Sequence, residues 1–189
     1  MEREAHYFWA VRIPDDVKQT IYDELTRIKP IFQFKRWVDL RDYHITLAFL
    51  GSVNSQQLQA VIHSVGEALK NQRAFLLDIK GLNVFGPQKA PRIFWGAVNE
   101  MEPLFQIQAM VYKTCLAEGF TLETRPYHPH ITLARKWGKN EDFKMEDLVT
   151  HNPFKEKALS FQVNEIVLYK SNLENTPKYE SIASFTLMK

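Results

Sequence analysis

The chain has 189 residues, 45% of them apolar and 24% charged, a balance that fits an ordinary globular protein and excludes a disordered or fibrous one. A formal net charge of +2 is too small to argue for non-specific wrapping of nucleic acid, although it leaves room for a local basic site. The single cysteine, Cys115, excludes an internal disulfide framework, and no run of apolar residues is long enough for a membrane-spanning helix. With acidic residues and no apolar signal region at its start, the chain is expected to be cytoplasmic.

In chain order, HYFWAVRI at 6–13 predicts a strand. Pro14-Asp15-Asp16 then opens a helix, with Asp15 as the expected N-cap and Val17, Ile21, Leu25 and Ile28 spaced three or four apart. Residues 43–50 predict a strand ending at Gly51, and 52–70 a helix with Leu58, Val61, Ile62, Val65 and Leu69 on one side. A strand over 76–85 carries an expected irregularity at Gly81. Two prolines and a glycine in 86–91 stop both helix and strand and read as a joint. Beyond it come a strand at 93–98, a helix at 103–118 with Cys115 on its apolar face, and a strand at 129–135. The segment 135–155 lacks clear periodicity and reads as a flap over a cleft. Strands near 160–169 and 179–187 complete the chain.

The pentapeptide His-Ile-Thr-Leu-Ala occurs twice, at 44–48 and 130–134, 86 residues apart. The same offset, without a gap, sets Phe8-Trp9 on Phe94-Trp95, Ile21 on Ile107 and Phe34 on Phe120. This predicts an internal duplication in a single domain, with repeats of about 1–86 and about 92–189. The expected fold class is α+β: two similar lobes, each an antiparallel sheet covered by helices on one side, around a central cleft.

Strand alternation puts His44 and Thr46 on one face and Ile45 and Leu47 on the other, and likewise His130 and Thr132 against Ile131 and Leu133. The Ile/Leu faces suit the core, which leaves two imidazoles and two hydroxyls on the open faces lining the cleft. Such a set suits displacement at phosphorus. One neutral histidine takes a proton from water, the other as imidazolium gives one to the leaving oxygen, and the threonine hydroxyls donate to non-bridging oxygens. This chemistry requires no metal or other cofactor. A rival reading makes His44, His128 and His130 ligands of a metal, but no carboxylate or cysteine cluster accompanies them. Lys35-Arg36-Trp37 and the segment 136–139 (KWGK) combine cations with an indole, as contacts to single-stranded RNA do.

The paired His-x-Thr motifs resemble the 2H phosphoesterase superfamily, and within it the RNA 2′,3′-cyclic phosphodiesterases, the 2′-5′ RNA ligase-like family. The likeness extends to YFWAVRIP at 7–14, RWV at 36–38, YHITLAFLG at 43–51, YHPHITLAR at 127–135, KSNL at 170–173 and YESIASFTL at 179–187. It implies a bilobal 2H fold and hydrolysis of an RNA terminal 2′,3′-cyclic phosphate to a 2′-phosphate, with RNA 3′ ends or nucleotide cyclic phosphates as partners. It also implies His44 and His130 as the catalytic pair, His44 as acid and His130 as base, with Thr46 and Thr132 as donors to the phosphate. Arg135 matches a phosphate-contacting position, although strict alternation would put it on the wrong face. Phe49 stands at the equivalent place in the first motif, where stacking on a base and burial beside Leu47 are both open readings. A 2H enzyme for another substrate, such as a small nucleotide cyclic phosphate or a 2′-5′ linkage, and a non-catalytic RNA-binding module are the alternatives.

Overall fold

The computed structural model describes residues 5–189; the acidic start read at residues 1–4 lies outside them. Nine strands and four helices follow in the order β1 (His6–Arg12), α1 (Asp15–Ile28), β2 (Phe34–Trp37), β3 (His44–Ser52), α2 (Ser55–Leu69), β4 (Phe75–Phe85), β5 (Ile93–Val98), α3 (Glu102–Ala117), β6 (His130–Trp137), α4 (Met145–Thr150), β7 (Leu159–Val163), β8 (Glu165–Ser171) and β9 (Tyr179–Thr186). A 3-10 turn, Leu40–Asp42, leads into β3.

The helices form where apolar spacing allows one face to be buried. Val17, Ile21, Leu25 and Ile28 of α1, Val61, Val65 and Leu69 of α2, and Leu104, Ile107, Val111 and Cys115 of α3 are all buried. Burial pushes the Cys115 thiol up to about 12, so it behaves as a small apolar residue. Asp15 is not the cap of α1: Pro14 takes that position with no side-chain bond, and Asp15 and Asp16 instead sit in the first turn, where negative charge complements the exposed N–H groups. Helix α2 starts three residues later than the sequence predicts, because Asn54 accepts a hydrogen bond from Gln57 N and caps it.

The strands join antiparallel in one sheet of order β7-β4-β5-β6-β3-β1-β8-β9, with β2 off this path and paired with β6. Two lobe sheets, β7-β4-β5-β6 and β3-β1-β8-β9, meet at β3 and β6, where a single residue pair, Ile45 with Ile131, joins them. Beyond that pair the strands part, and Val38 N–H and then β2 take up the free edge of β6. The lobes are not the sequence halves. Strand β4 leaves the first half to pair with β5, and β8 returns from the second half to pair with β1.

The ladders correct the gapless alignment. Trp9 and Phe94 are the residues opposite Ala48 and Ala134, and Ala10 and Trp95 are opposite Thr46 and Thr132. The first strands of the lobes therefore correspond one residue out of step with the His-x-Thr strands, and Phe8-Trp9 is not the structural counterpart of Phe94-Trp95. The segment 135–155 is also pinned rather than a flap over the cleft: Phe143, Leu148 and Phe154 are buried in the main core, and Phe143 N–H bonds Lys89 O.

Candidate active site

An antiparallel pair has local twofold symmetry about a residue pair, here Ile45 and Ile131, both fully buried on the helix side. One step along each strand, His44 and Thr46 and likewise His130 and Thr132 turn to the opposite face. The antiparallel register sets His44 towards Thr132 and Thr46 towards His130. All four side chains are half-buried.

The two imidazoles are oriented in the same way. His44 Nδ1 lies 2.7 Å from Asp42 O and His130 Nδ1 lies 2.8 Å from His128 O. A carbonyl only accepts, so each Nδ1 carries the proton and each Nε2 is left as the exchangeable position. Thr46 Oγ1 lies 3.1 Å from His44 Nε2 and donates to it in the neutral ring. Among the described residues no side chain is bonded to His130 Nε2.

Each ring rests on an aromatic bed. His44 packs against Phe8 at 4.8 Å and meets Tyr179 edge-on at 5.1 Å, while His130 meets Phe85 at 5.1 Å and Trp95 at 5.8 Å between centroids. Burial in these beds disfavours the imidazolium in both. His44 falls from 6.5 to about 4, through burial first, opposed by its bond to Asp42 O and reinforced by His130, Lys18 and Arg135. His130 is lowered as well, by burial first, with the charges of His128 and Arg135 adding to it against the bond to His128 O.

Arg135 reaches the same face because the strand is not regular. Phe94 pairs with Ala134 and Trp95 with Thr132, so Leu133 is an extra residue in the ladder, and Trp9, Ala10 and Leu47 repeat this bulge in β3. Leu133 and Ala134 are both buried, alternation resumes with the opposite parity, and Arg135 emerges beside the histidines. The charge of its guanidinium acts on both rings and on the Tyr179 hydroxyl. The bulge in β3 does the same for Phe49, which is 51% exposed and touches the His6 ring at 5.6 Å rather than joining Leu47 in the core.

Sequence reasoning missed Asp42 and Tyr179. The buried Asp42 carboxylate accepts from Lys178 N at 3.0 Å and Tyr179 N at 3.1 Å, and so ties the turn before β3 to the start of β9. Its backbone carbonyl meanwhile orients His44. The signal available was positional: Asp42 stands two residues before one histidine, as His128 does before the other. His128 itself is exposed and lays its ring edge against Trp95 at 5.1 Å. Among the described residues no three His, Cys, Asp or Glu side chains are grouped as metal ligands. The two tryptophans of the basic segments turn inward: Trp37 packs on Phe94, and Trp137 on Phe34 and Phe143.

A bilobal α+β sheet with a His-x-Thr strand from each lobe at its seam is the arrangement of a two-histidine phosphoesterase. The chain belongs to the 2'-5' RNA ligase superfamily, whose family model matches residues 14–175. It is 40% identical over 98% of its length to the RNA 2',3'-cyclic phosphodiesterase of Geobacillus stearothermophilus, of which it spans 58%. It is 34% identical to that of Bacillus subtilis, with 96% of each chain covered. Among solved structures, Escherichia coli LigT complexed with 3'-AMP shares the fold with a TM-score of 0.80, at 23% identity over 99% of this chain and 100% of that one. No helix among the described residues is long and apolar enough to cross a membrane.

Proposed function

We propose that the protein is an RNA 2′,3′-cyclic phosphodiesterase, which opens the terminal ring to a 2′-phosphate by two-histidine acid/base catalysis. The observation that carries this reading is the pair of imidazoles on one sheet face, each fixed through Nδ1 to a backbone carbonyl so that Nε2 is the group that exchanges a proton. The names of the Geobacillus and Bacillus relatives support the substrate class.

In this scheme water attacks phosphorus opposite the 3′ oxygen. The new P–O bond forms as the P–O3′ bond breaks; one Nε2 accepts the proton of water and the other supplies a proton to O3′. Thr46 and Thr132 donate to the non-bridging oxygens, and Arg135 holds the phosphate with a two-pronged guanidinium. Burial disfavours the imidazolium in both rings, so the acid draws on the substrate's own charge to hold its proton. The negative phosphate favours the imidazolium, and with His44 as acid and His130 as base, binding takes up a proton at His44. We further read the chain as one domain of two repeats, acting as a monomer in the cytoplasm on RNA 3′ ends.

The test is to incubate the protein with an oligoribonucleotide ending in a 2′,3′-cyclic phosphate and to locate the phosphate in the product. A 2′-phosphate end is expected. A 3′-phosphate end, or an unchanged ring, overturns the proposal.

A further inference from the structure

Strand β2 brings a second arginine to the site. Arg36 stands directly opposite Arg135 in the β2·β6 ladder, and residues opposite one another in an antiparallel pair project on the same face. The neighbouring pair, Trp37 with Ala134, points into the core: Ala134 is fully buried and Trp37 packs on Phe94. The arginine pair is therefore on the cleft face, and both residues are exposed.

Like charges set directly across a ladder repel and destabilise it. Among the other exposed arginines, Arg41 bonds Asp39, Arg27 bonds Glu24 and Arg125 bonds Glu123, whereas Arg73 and Arg92 form no ion pair among the described residues but face no second arginine across a ladder. Neither Arg36 nor Arg135 forms an ion pair with a carboxylate among the described residues. Arg135, whose charge acts on both imidazoles, is taken up with the reacting phosphate, whereas Arg36 stands across the ladder from it on β2. It sits at the end of the seam where β3 begins and β2 takes its place on the edge of β6. A second anion beside the first resolves the repulsion, and a nucleic acid strand supplies phosphates in succession.

We infer that Arg36 forms a second phosphate subsite, which holds the internucleotide phosphodiester just before the terminal nucleotide and makes the protein selective for oligoribonucleotide ends over mononucleotide cyclic phosphates. The inference rests on the proposed function for the identity of the first subsite. The flanking exposed cations Lys35 and Lys136 strengthen the field at that end of the cleft, while the inward-facing indoles leave recognition there to charge rather than to base stacking.

Binding distinguishes this inference from the proposed reaction, because it needs no turnover. The probes are a nucleoside 2′-phosphate and a dinucleotide that carries the same terminal 2′-phosphate plus one internucleotide phosphodiester, titrated by calorimetry at several salt concentrations. Wild-type protein is expected to bind the dinucleotide more tightly. Arg36→Ala should weaken dinucleotide binding about tenfold, the effect of losing one charge-assisted contact, and leave the nucleoside 2′-phosphate within about twofold. Arg36→Lys should recover part of the loss, and the salt slope for the dinucleotide should fall in Arg36→Ala by about 0.7, as for one phosphate contact on a single strand. Equal weakening of both ligands, unchanged dinucleotide binding, or binding of neither ligand by the wild type overturns the inference. Absence of cyclic phosphate hydrolysis by a protein that shows the expected selectivity would sink only the proposed reaction.

Discussion

The carboxylate of Asp42 accepts the backbone N–H of Tyr179 at 3.1 Å, so the turn that carries one histidine is clamped to the strand whose phenol ring stands edge-on against that histidine. The carboxylate is buried and satisfied by backbone donors from residues 178 and 179, which makes it a bond between lobe edge and site rather than a surface feature. Asp42→Ala leaves those N–H groups without an acceptor and is expected to cost about 1–3 kcal/mol of stability. Because the clamp also sets Tyr179 against His44 and holds the carbonyl that orients that ring, kcat should fall together with stability, and Asp42→Asn, which keeps one acceptor oxygen, should lie between. Urea denaturation alongside steady-state kinetics checks both; a fully active Asp42→Ala protein would remove the positioning role.

Replacing either His44 or His130 by Ala is expected to reduce turnover by roughly 10²–10⁴-fold, the weight of one positioned acid or base. Both rings are half-buried and on the open face, so the fold should tolerate the change. Single-turnover rates on a cyclic phosphate end, with folding verified by circular dichroism, decide the matter, and wild-type rates in either variant would end the catalytic assignment.

The rate should trace a bell against pH, whose limbs belong to the coupled pair of imidazoles rather than to either one. Stability has its own pH dependence with a definite sign. His44 holds its proton less well folded, at about 4, than at its ordinary 6.5. The unfolded chain therefore binds more protons between those values, and stability should be fully present above about 6.5 and decline as pH falls towards about 4. His44→Gln should flatten that decline in urea midpoints measured from neutral to acidic pH. A midpoint that drops equally in wild type and variant would assign the effect elsewhere.

Activity should survive prolonged EDTA treatment, and His128→Ala should keep most of it, since that ring is exposed and lies on Trp95 outside the duplicated pattern. Thr46→Ala and Thr132→Ala should each cost more than His128→Ala, through loss of a hydroxyl donor to the phosphate. Stoichiometric zinc in the purified protein, with turnover lost on chelation, would establish the metal reading instead.

The His-x-Thr strands were legible because period-two alternation speaks directly of two faces, and the helices because their apolar residues recur every three or four positions. The same rule set Arg135 on the wrong face, against the family resemblance, which placed it at the phosphate. Alternation fails at Leu133-Ala134, and the sign was in the sequence, since each motif ends in two consecutive apolar residues, Leu-Ala, where a regular half-buried strand would place one. Strand β2 was not legible: Phe34–Trp37 is short, does not alternate, and its partner strand β6 lies about a hundred residues away. The Phe-Trp repeat misled for a related reason, because identity of letters one step out of register swaps a core residue, Trp9, for a cleft residue, Trp95. Asp42 and Tyr179 come together only through a contact spanning most of the chain, which no local pattern announces.

The exchange of β4 and β8 between the halves has a bearing on synthesis. As the chain leaves the ribosome, β1 and β3 can pair at once, but the other edge of β1 stays open until residues 165–171 have been made, and β4 waits for β5. The lobe that carries His44 is thus completed last, by the C-terminal strands, although its sequence begins first. An unfinished chain would display a sticky strand edge and no finished site. Truncation after β7 should accordingly yield aggregated protein rather than a stable half, and a separately expressed C-terminal peptide, supplied in trans, is the natural partner to rescue it.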